Sequence, residues 1–268
     1  SAASDGYKRQ KFANSLKLRM AMRICYVDKG KSEIMVKEAI DTSNGKLGVM
    51  TENSDNAFMP ATINPFYMVC YSYNGGETKI SADLSSYMNG YQDPRREIYG
   101  VTSTFDESEN ITNGFHGLRV GNEYPIKTGQ CYSNVKVEVS SPIMWMNAAE
   151  VMFLRAEAAL RGWDTEKTPK AYYEAGIRLS FEQLGAKNVE DYLVSTNTPE
   201  SYKDPLGTYS FSGTPSTISV QWKDGNFEES LERIITQKWI ANFPLGLEAW
   251  AEFRRTGYPK LMGTASNK

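Results

Sequence analysis

Residues 145–163 read WMNAAEVMFLRAEAALRGW, and this stretch decides the fold. Its five alanines are the small side chains that let one helix lie close to several neighbours, and they stand at positions 148, 149, 156, 158 and 159. Gly162 follows the last periodic residue, where a helix commonly stops. The stretch therefore predicts a helix to about Arg161 that packs tightly against other helices.

The sequence downstream of this stretch predicts three further helices. In TPKAYYEAGIRLSFEQLGA, Thr168 is placed as an N-cap, Pro169 at the first helical position and Gly185 at the end. The segments FEESLERIITQKWIANF and LEAWAEFRR, separated by PLG, form another predicted pair. The residues of this pair expected to face inward are Leu231, Ile234, Ile235, Trp239 and Phe243.

The N-terminal region predicts a helical hairpin. In GYKRQKFANSLKLRMAMRICYVDKG, apolar residues recur every three or four positions, which is typical of an amphipathic helix. Gly30 is predicted to end this helix, and Ser32 with EIMVKEAI indicates a short second one. The apolar stripe of the first helix comprises Phe12, Leu16, Met20, Ile24 and Val27.

The fold class predicted from these segments is mainly α, with tetratricopeptide-like helical hairpins at about 7–42, 144–185 and 227–256. Residues 43–142 show helical periodicity only in ISADLSSYM and are punctuated by Gly, Asn, Ser, Asp and Pro. We interpret them as a loop-rich insertion with short strands inside a single domain, residues 1–268. Insertions of this length usually carry function.

The composition excludes several classes of function. The chain has 268 residues with 30 Lys plus Arg and 32 Asp plus Glu, a net charge of −2 that gives no field to attract nucleic acid. One histidine and three distant cysteines supply neither a zinc site nor a histidine-based triad. We predict no cofactor and no metal. No apolar run approaches the roughly 18 residues that span a bilayer.

Two glutamates in the opening stretch are candidates for acid–base chemistry. Glu150 and Glu157 are seven apart, on nearly one face of a helix and about 10 Å apart along its axis. That separation is near the upper limit for an inverting glycosidase pair. However, Glu157 also precedes Arg161 by four residues, a favourable surface pairing. We favour an architectural role and keep a glycoside-acting enzyme, using Glu150 with Glu157 or Asp93, as an alternative.

Aromatic residues in the loops are the better candidates for function. Flat rings beside Asn, Asp and Gln stack on sugars and hydrogen-bond their hydroxyls, although rings can also pin loops onto helices. His116, between glycines in NGFHGL, is interpreted as incidental. The candidate ligand-binding residues are Tyr67, Tyr71, Tyr73, Tyr91, Asp93, Arg95 and Trp222.

Five blocks in the chain resemble the C-terminal half of the SusD/RagB family of outer-membrane nutrient-binding lipoproteins from Bacteroidetes. They are FANSLKLRMAMRI (12–24), MNGYQDPRR (88–96), AAEVMFLRAEAALRGW (148–163), YYEAGIRLSFEQLG (172–185) and TQKWIANFPLGLEAWAEFRRTGYPKL (236–261). The resemblance implies helical pairs that support an irregular ligand-binding part, and a binding protein rather than an enzyme. Ligand residues of the family do not form a fixed motif, so none is transferred from it.

The resemblance also implies a location and partners. Members of this family are lipoproteins on the cell surface that bind glycans, or peptides in some cases, and deliver them to a SusC-like TonB-dependent transporter. Contact with the membrane would be only through a lipid anchor. The N-terminal SAASDGYKRQ carries neither a signal peptide nor a lipidated cysteine, so we expect the chain to be part of a longer protein. A helical interaction scaffold without a small ligand is the other alternative.

Overall fold

A computed structural model describes residues 2–103, 114–123 and 131–266, and it confirms a mainly helical fold with short strands. Within the predicted insertion, residues 104–113 and 124–130 therefore lie outside the described part. The helices are α1 (Ala2–Arg23), α2 (Lys29–Ile40), α3 (Pro65–Tyr67), α4 (Ala82–Gly90), α5 (Arg96–Tyr99), α6 (Ala148–Leu160), α7 (Pro169–Leu184), α8 (Val189–Leu193), α9 (Phe227–Ala241) and α10 (Gly246–Thr256). Strands β1 (Ala57–Met59) and β2 (Ile143–Met146) pair in a two-stranded sheet.

The ends of the central helices follow local capping chemistry. The Asn147 side chain accepts a hydrogen bond from Glu150 N at the start of α6. Thr168 caps α7, Pro169 is its first residue, and Gly185 ends it in the left-handed conformation at φ 68°, all as predicted. The caps satisfy backbone groups that a helix leaves free at its ends, so short sequence patterns suffice to fix these ends.

The prediction that Gly30 ends the first helix is wrong. Helix α1 ends at Arg23, and Gly30 lies in the first turn of α2. The Asp28 carboxylate accepts from Lys31 N at 2.9 Å and starts α2 there. An N-cap satisfies a free backbone N–H group, and this outweighs the modest cost of glycine within a helix.

The predicted apolar stripe of α1 is displaced from the face that is buried. Met20 and Val27 are exposed, whereas Leu18 and Met22 are buried. The buried face of α1 includes Ala21, whose carbonyl oxygen accepts a hydrogen bond from the Ser32 hydroxyl of α2 at 2.8 Å. Small residues allow two helices to approach closely, and such a contact is not visible in hydrophobic periodicity alone.

The described chain divides into two compact units. The helical unit comprises Ser1–Met59, Met144–Gly185 and Trp222–Pro259. The loop-rich unit comprises Pro60–Ile143, Ala186–Gln221 and Lys260–Lys268. The loop-rich unit thus contains most of the predicted insertion together with two segments from later in the sequence.

Helix α6 is the centre of the helical unit. It packs against α1, α7 and α9, and every residue from Ala148 to Ala158 is buried. Gly176 of α7 lies against the Phe153 ring, where an added Cβ would come within 2.8 Å of a ring carbon. In the third pair, Leu231, Ile234 and Ile235 are buried as predicted, whereas Trp239 and Phe243 are only half-buried. The opening stretch is therefore a packing helix.

The described residues contain no helix that is both long enough and apolar enough to cross a membrane.

Candidate functional site

The first part of the candidate site is a compact turn that we call the tyrosine turn, residues 64–76. It consists of α3, one π-helical turn at Met68–Ser72 and a 3-10 turn at Tyr73–Gly76. Asn64 anchors the turn, since its side chain accepts from Phe66 N and donates to Ser141 O, both at 2.8 Å. Single π-helical turns occur frequently at functional sites. The Asn-Pro pair at residues 64 and 65 is the sequence signal for the start of this turn.

The tyrosine turn brings two of the candidate rings together. Tyr67 and Tyr71 stack with ring centroids 5.1 Å apart and an interplanar angle of 29°. The Tyr71 hydroxyl donates to Val135 O, which braces the pair. Burial, the largest influence, raises the pKa of Tyr71, so its hydroxyl remains a protonated donor at neutral pH.

A third ring stands out from the same turn. Tyr73 is 67% exposed, and Ile63, Met68 and Val69 nearby in the sequence are exposed as well. An exposed aromatic face on a surface turn is available to stack on a ligand. Polar groups flank the braced pair, because Lys79 donates to Asn134 next to the Tyr71 acceptor and Glu138 lies near the Tyr71 hydroxyl. The turn therefore offers flat rings together with hydrogen-bonding groups.

The structure places Tyr91, Asp93 and Arg95 inside the loop-rich unit, where all three side chains are buried. Arg95 is fully buried and binds Asp93 through two bonds, Nε to Oδ1 at 2.9 Å and Nη2 to Oδ2 at 2.6 Å. Tyr192 donates to the same carboxylate at 2.8 Å, and Tyr91 donates to Ile218 O at 2.9 Å. A buried charge requires such a partner, which is why an Asp-Pro-Arg turn that reads as exposed folds inward.

Trp222 belongs to the helical unit rather than to the loop-rich unit. Its ring packs on Tyr173 with centroids 5.3 Å apart, and its Nε1 donates to Asp224 at 3.1 Å. The indole is half-buried. These contacts agree with the alternative noted for loop rings, in which they pin a loop onto a helix.

The two glutamates of α6 are both engaged by arginines. Glu150 accepts from Arg19 at 2.8 and 2.7 Å. Glu157 accepts from Arg255 at 2.7 and 2.6 Å and from Arg161 at 2.8 Å. The predicted pairing of Glu157 with Arg161 exists, but it is buried, with Glu157 only 1% exposed, so its description as a surface pair was wrong. These carboxylates neutralise buried arginines and are closed to a substrate.

The same network extends to Glu252 of α10. Its carboxylate lies 3.5 Å from Lys238 Nζ and is bound by Arg255. Burial would raise the pKa of Glu252, but Lys238 and Arg255 outweigh it and hold the pKa at about 2, against an ordinary 4.5. Glu252 therefore stays charged down to strongly acid pH while the protein is folded.

We expect this depressed pKa to make the protein sensitive to acid. A carboxyl group whose pKa is lower in the folded state stabilises the folded protein fully at pH values above its unfolded-state pKa. This contribution is lost as the pH falls to the folded-state pKa. Lowering the pH from about 4.5 to about 2 should remove on the order of 3 kcal/mol of unfolding free energy through Glu252. Urea unfolding at a series of pH values measures this. Glu252→Gln should flatten the slope in that window, and an unchanged slope would refute the assignment.

Potential metal ligands are not clustered within residues 2–103, 114–123 and 131–266. No group of three or more His, Cys, Asp or Glu side chains there is arranged to hold a metal ion. Cys25, Cys70 and Cys131 are each buried, and none of the three forms a disulfide.

Comparison with protein families identifies one group across the chain. A family model described as SusD-like, Susd and RagB outer membrane lipoprotein, matches residues 2–268. No curated protein matches the chain.

Solved structures of SusD homologs are similar to the chain throughout. One from Bacteroides thetaiotaomicron is 43% identical with a TM-score of 0.88, covering 96% of this chain and 53% of its own. One from Bacteroides ovatus is 47% identical with a TM-score of 0.88, and the match covers 97% of this chain and 55% of that homolog. A chitin-binding SusD homolog from Flavobacterium johnsoniae is 38% identical with a TM-score of 0.86, and the match covers 96% of this chain and 53% of that homolog. The chain thus spans about half the length of these proteins.

Proposed function

Because this chain belongs to the SusD-like family of outer membrane lipoproteins, we propose that it binds a glycan at the cell surface through the tyrosine turn. The observation that carries the proposal is the braced pair of Tyr67 and Tyr71, with the exposed ring of Tyr73 two residues further along the same turn. Aromatic faces stack on the apolar face of a sugar ring, and neighbouring polar groups bond its hydroxyls.

The arrangement of the turn suits an oligosaccharide better than a compact ligand. The exposed ring of Tyr73 on a surface turn can contact one unit of a longer sugar chain without enclosing it. The chitin-binding homolog supports a glycan as ligand, because the match covers 96% of this chain. In this proposal the exposed ring of Tyr73 contacts the ligand, and the stacked pair of Tyr67 and Tyr71 holds the turn in position.

We further propose that the captured glycan passes to a SusC-like TonB-dependent transporter, and that a lipid anchor elsewhere in the protein holds it at the outer membrane. Family membership supports both statements. We also propose that the protein is not an enzyme. The engagement of Glu150 and Glu157 by arginines supports this, because a catalytic carboxyl must reach its substrate.

We expect Tyr73→Ala to weaken oligosaccharide binding about tenfold, the loss of one stacking contact worth about 1.4 kcal/mol. The measurement is isothermal titration with chito-, malto- and xylo-oligosaccharides of six units. Because Tyr73 is exposed, its removal should leave the unfolding free energy unchanged. Tyr7→Ala is the matched control, since Tyr7 is 60% exposed on α1 and outside the turn.

Two outcomes would count against the tyrosine turn. Equal affinity of Tyr73→Ala and the unmodified protein for the best oligosaccharide would exclude the exposed ring from the site. Failure of all three oligosaccharide series to bind would favour an interaction scaffold without a small ligand.

A further inference from the structure

The loop-rich unit contains a pocket that none of the candidate residues lines. Its volume is about 250 Å³, and it lies between one face of α4 and the segments 115–116 and 200–203. His116, which the sequence alone presented as incidental, forms part of its wall. The pocket is therefore a different surface from the tyrosine turn, although both belong to the same unit.

The walls of this pocket are fixed by short-range contacts. Glu200 N donates to Ser86 O at 3.1 Å, and the Ser86 hydroxyl donates back to Glu200 O. On the other side, Asn89 Nδ2 donates to Phe115 O at 2.9 Å. Gly90 permits this packing, because a Cβ there would lie 2.3 Å from Thr198 O. Because these hydrogen bonds join α4 to both of the other segments, the pocket is formed in the absence of a ligand.

The polar groups around the pocket favour a neutral ligand. Glu200 and Lys203 are exposed side chains of opposite charge, so their fields largely cancel for a net-charged molecule. Among the remaining lining residues, Ser201 supplies a hydroxyl group and Phe115 an aromatic ring. A carboxylate, an ammonium group and a hydroxyl beside an aromatic ring match a molecule that carries hydroxyls on an apolar ring.

The volume of the pocket limits the size of the ligand. Pockets for drug-sized ligands occupy about 300–1,000 Å³, so a pocket of about 250 Å³ suits a single ring. We propose that this pocket binds one neutral sugar ring, as a site separate from the tyrosine turn. This goes beyond the function proposed above, because the two sites use different side chains.

One backbone segment connects the two sites. The Ser133 hydroxyl accepts from His116 N at 3.0 Å, and Ser133 N donates to His116 O at 2.7 Å. Two residues further along, Val135 O accepts the hydroxyl of Tyr71. The wall of the pocket and the brace of the tyrosine turn are therefore parts of the same short segment.

The imidazole of His116 is a direct reporter for the proposed site. It is the only histidine among the 268 residues, so its C–H resonances in a proton NMR spectrum need no assignment. Titration with methyl β-glucoside, methyl β-galactoside and N-acetylglucosamine at constant pH should shift these resonances saturably for at least one sugar. We expect a dissociation constant of roughly 1–10 mM, typical of a few hydrogen bonds in a small open pocket. Glycine, a zwitterion of similar polarity, should cause no saturable shift.

Matched variants test which side chains form the site. Glu200→Gln should raise the dissociation constant about tenfold, because bonds from sugar hydroxyls to a carboxylate are stronger than those to an amide. Ser201→Trp should abolish the shift by filling the pocket. Asp191→Asn, at an exposed carboxylate on α8 that does not line the pocket, should leave the titration unchanged.

The outcomes separate this site from the tyrosine turn. Tyr73→Ala should retain the sugar-dependent shift at His116 even if it loses oligosaccharide binding. The absence of a saturable shift with all three sugars, a shift with glycine alone, or unchanged sugar affinity in Glu200→Gln would each overturn the proposal.

Discussion

Glu157→Gln should lower the unfolding free energy by about 3–5 kcal/mol, the usual loss when one partner of a buried ion pair is removed. Glutamine keeps the size of the side chain but not its charge. Arg255 and Arg161, which both bind this carboxylate in the helical unit, would then be left buried and undercompensated. Urea unfolding followed by circular dichroism measures the change.

Glu33→Gln is the control for this effect. Glu33 makes a comparable pair with Lys37 at 2.7 Å, but on an exposed helix surface. Exposed pairs four residues apart contribute about 0.3–0.5 kcal/mol, so the control should change stability by less than 0.5 kcal/mol. Equal effects of the two substitutions would mean that burial does not matter here. If Glu157 were instead catalytic, a glycoside hydrolysed by the unmodified protein would no longer be hydrolysed by a normally stable Glu157→Gln.

Asp93→Asn should be comparably damaging in the loop-rich unit, with an expected loss of about 3–5 kcal/mol. The carboxylate holds both the Arg95 guanidinium and the Tyr192 hydroxyl, and Asp93 and Arg95 have fully buried side chains. Burial alone would lower the pKa of Arg95, but the Asp93 charge outweighs it and raises the pKa, so the arginine stays charged and needs its partner.

Asp93→Asn also distinguishes a structural role of Asp93 from a role in ligand binding. Glu97→Gln is the control, because Glu97 is 79% exposed and lies 3.8 Å from Arg96, a distance that gives little stabilisation. At a temperature where Asp93→Asn remains folded, its oligosaccharide affinity should equal that of the unmodified protein. A stable Asp93→Asn with weakened binding would instead support the predicted role of Asp93 in ligand binding.

Local sequence patterns predicted most helices because the interactions that define them are short in range. Thr168, Pro169 and Gly185 act within one or two turns of the helix they delimit, so neighbouring residues suffice to recognise them. The prediction that Gly30 ends the first helix failed because a glycine is only a weak stop signal. Asp28 starts a new helix two residues before it.

The candidate site was only partly predictable. Tyr67 and Tyr71 are four residues apart, and a helical turn brings such residues to one side, as their stacking shows. In contrast, the burial of Asp93 and Arg95 depends on Tyr192, about 100 residues further along the chain. A charged turn has the same local pattern whether it is solvated or covered by a distant segment, so sequence reasoning cannot tell these cases apart.

By itself, the sequence determined the helical class, the positions of most helices, and the family blocks that the comparison across residues 2–268 confirms. Only the tertiary structure decided that the glutamates of α6 neutralise arginines from α1 and α10, and that His116 lines a pocket with α4. The physical reason is the distance along the chain over which each interaction acts. Helix propensity and capping act between neighbours in sequence, whereas the cost of burying a charge is met by whichever distant residue the fold brings within a few ångströms.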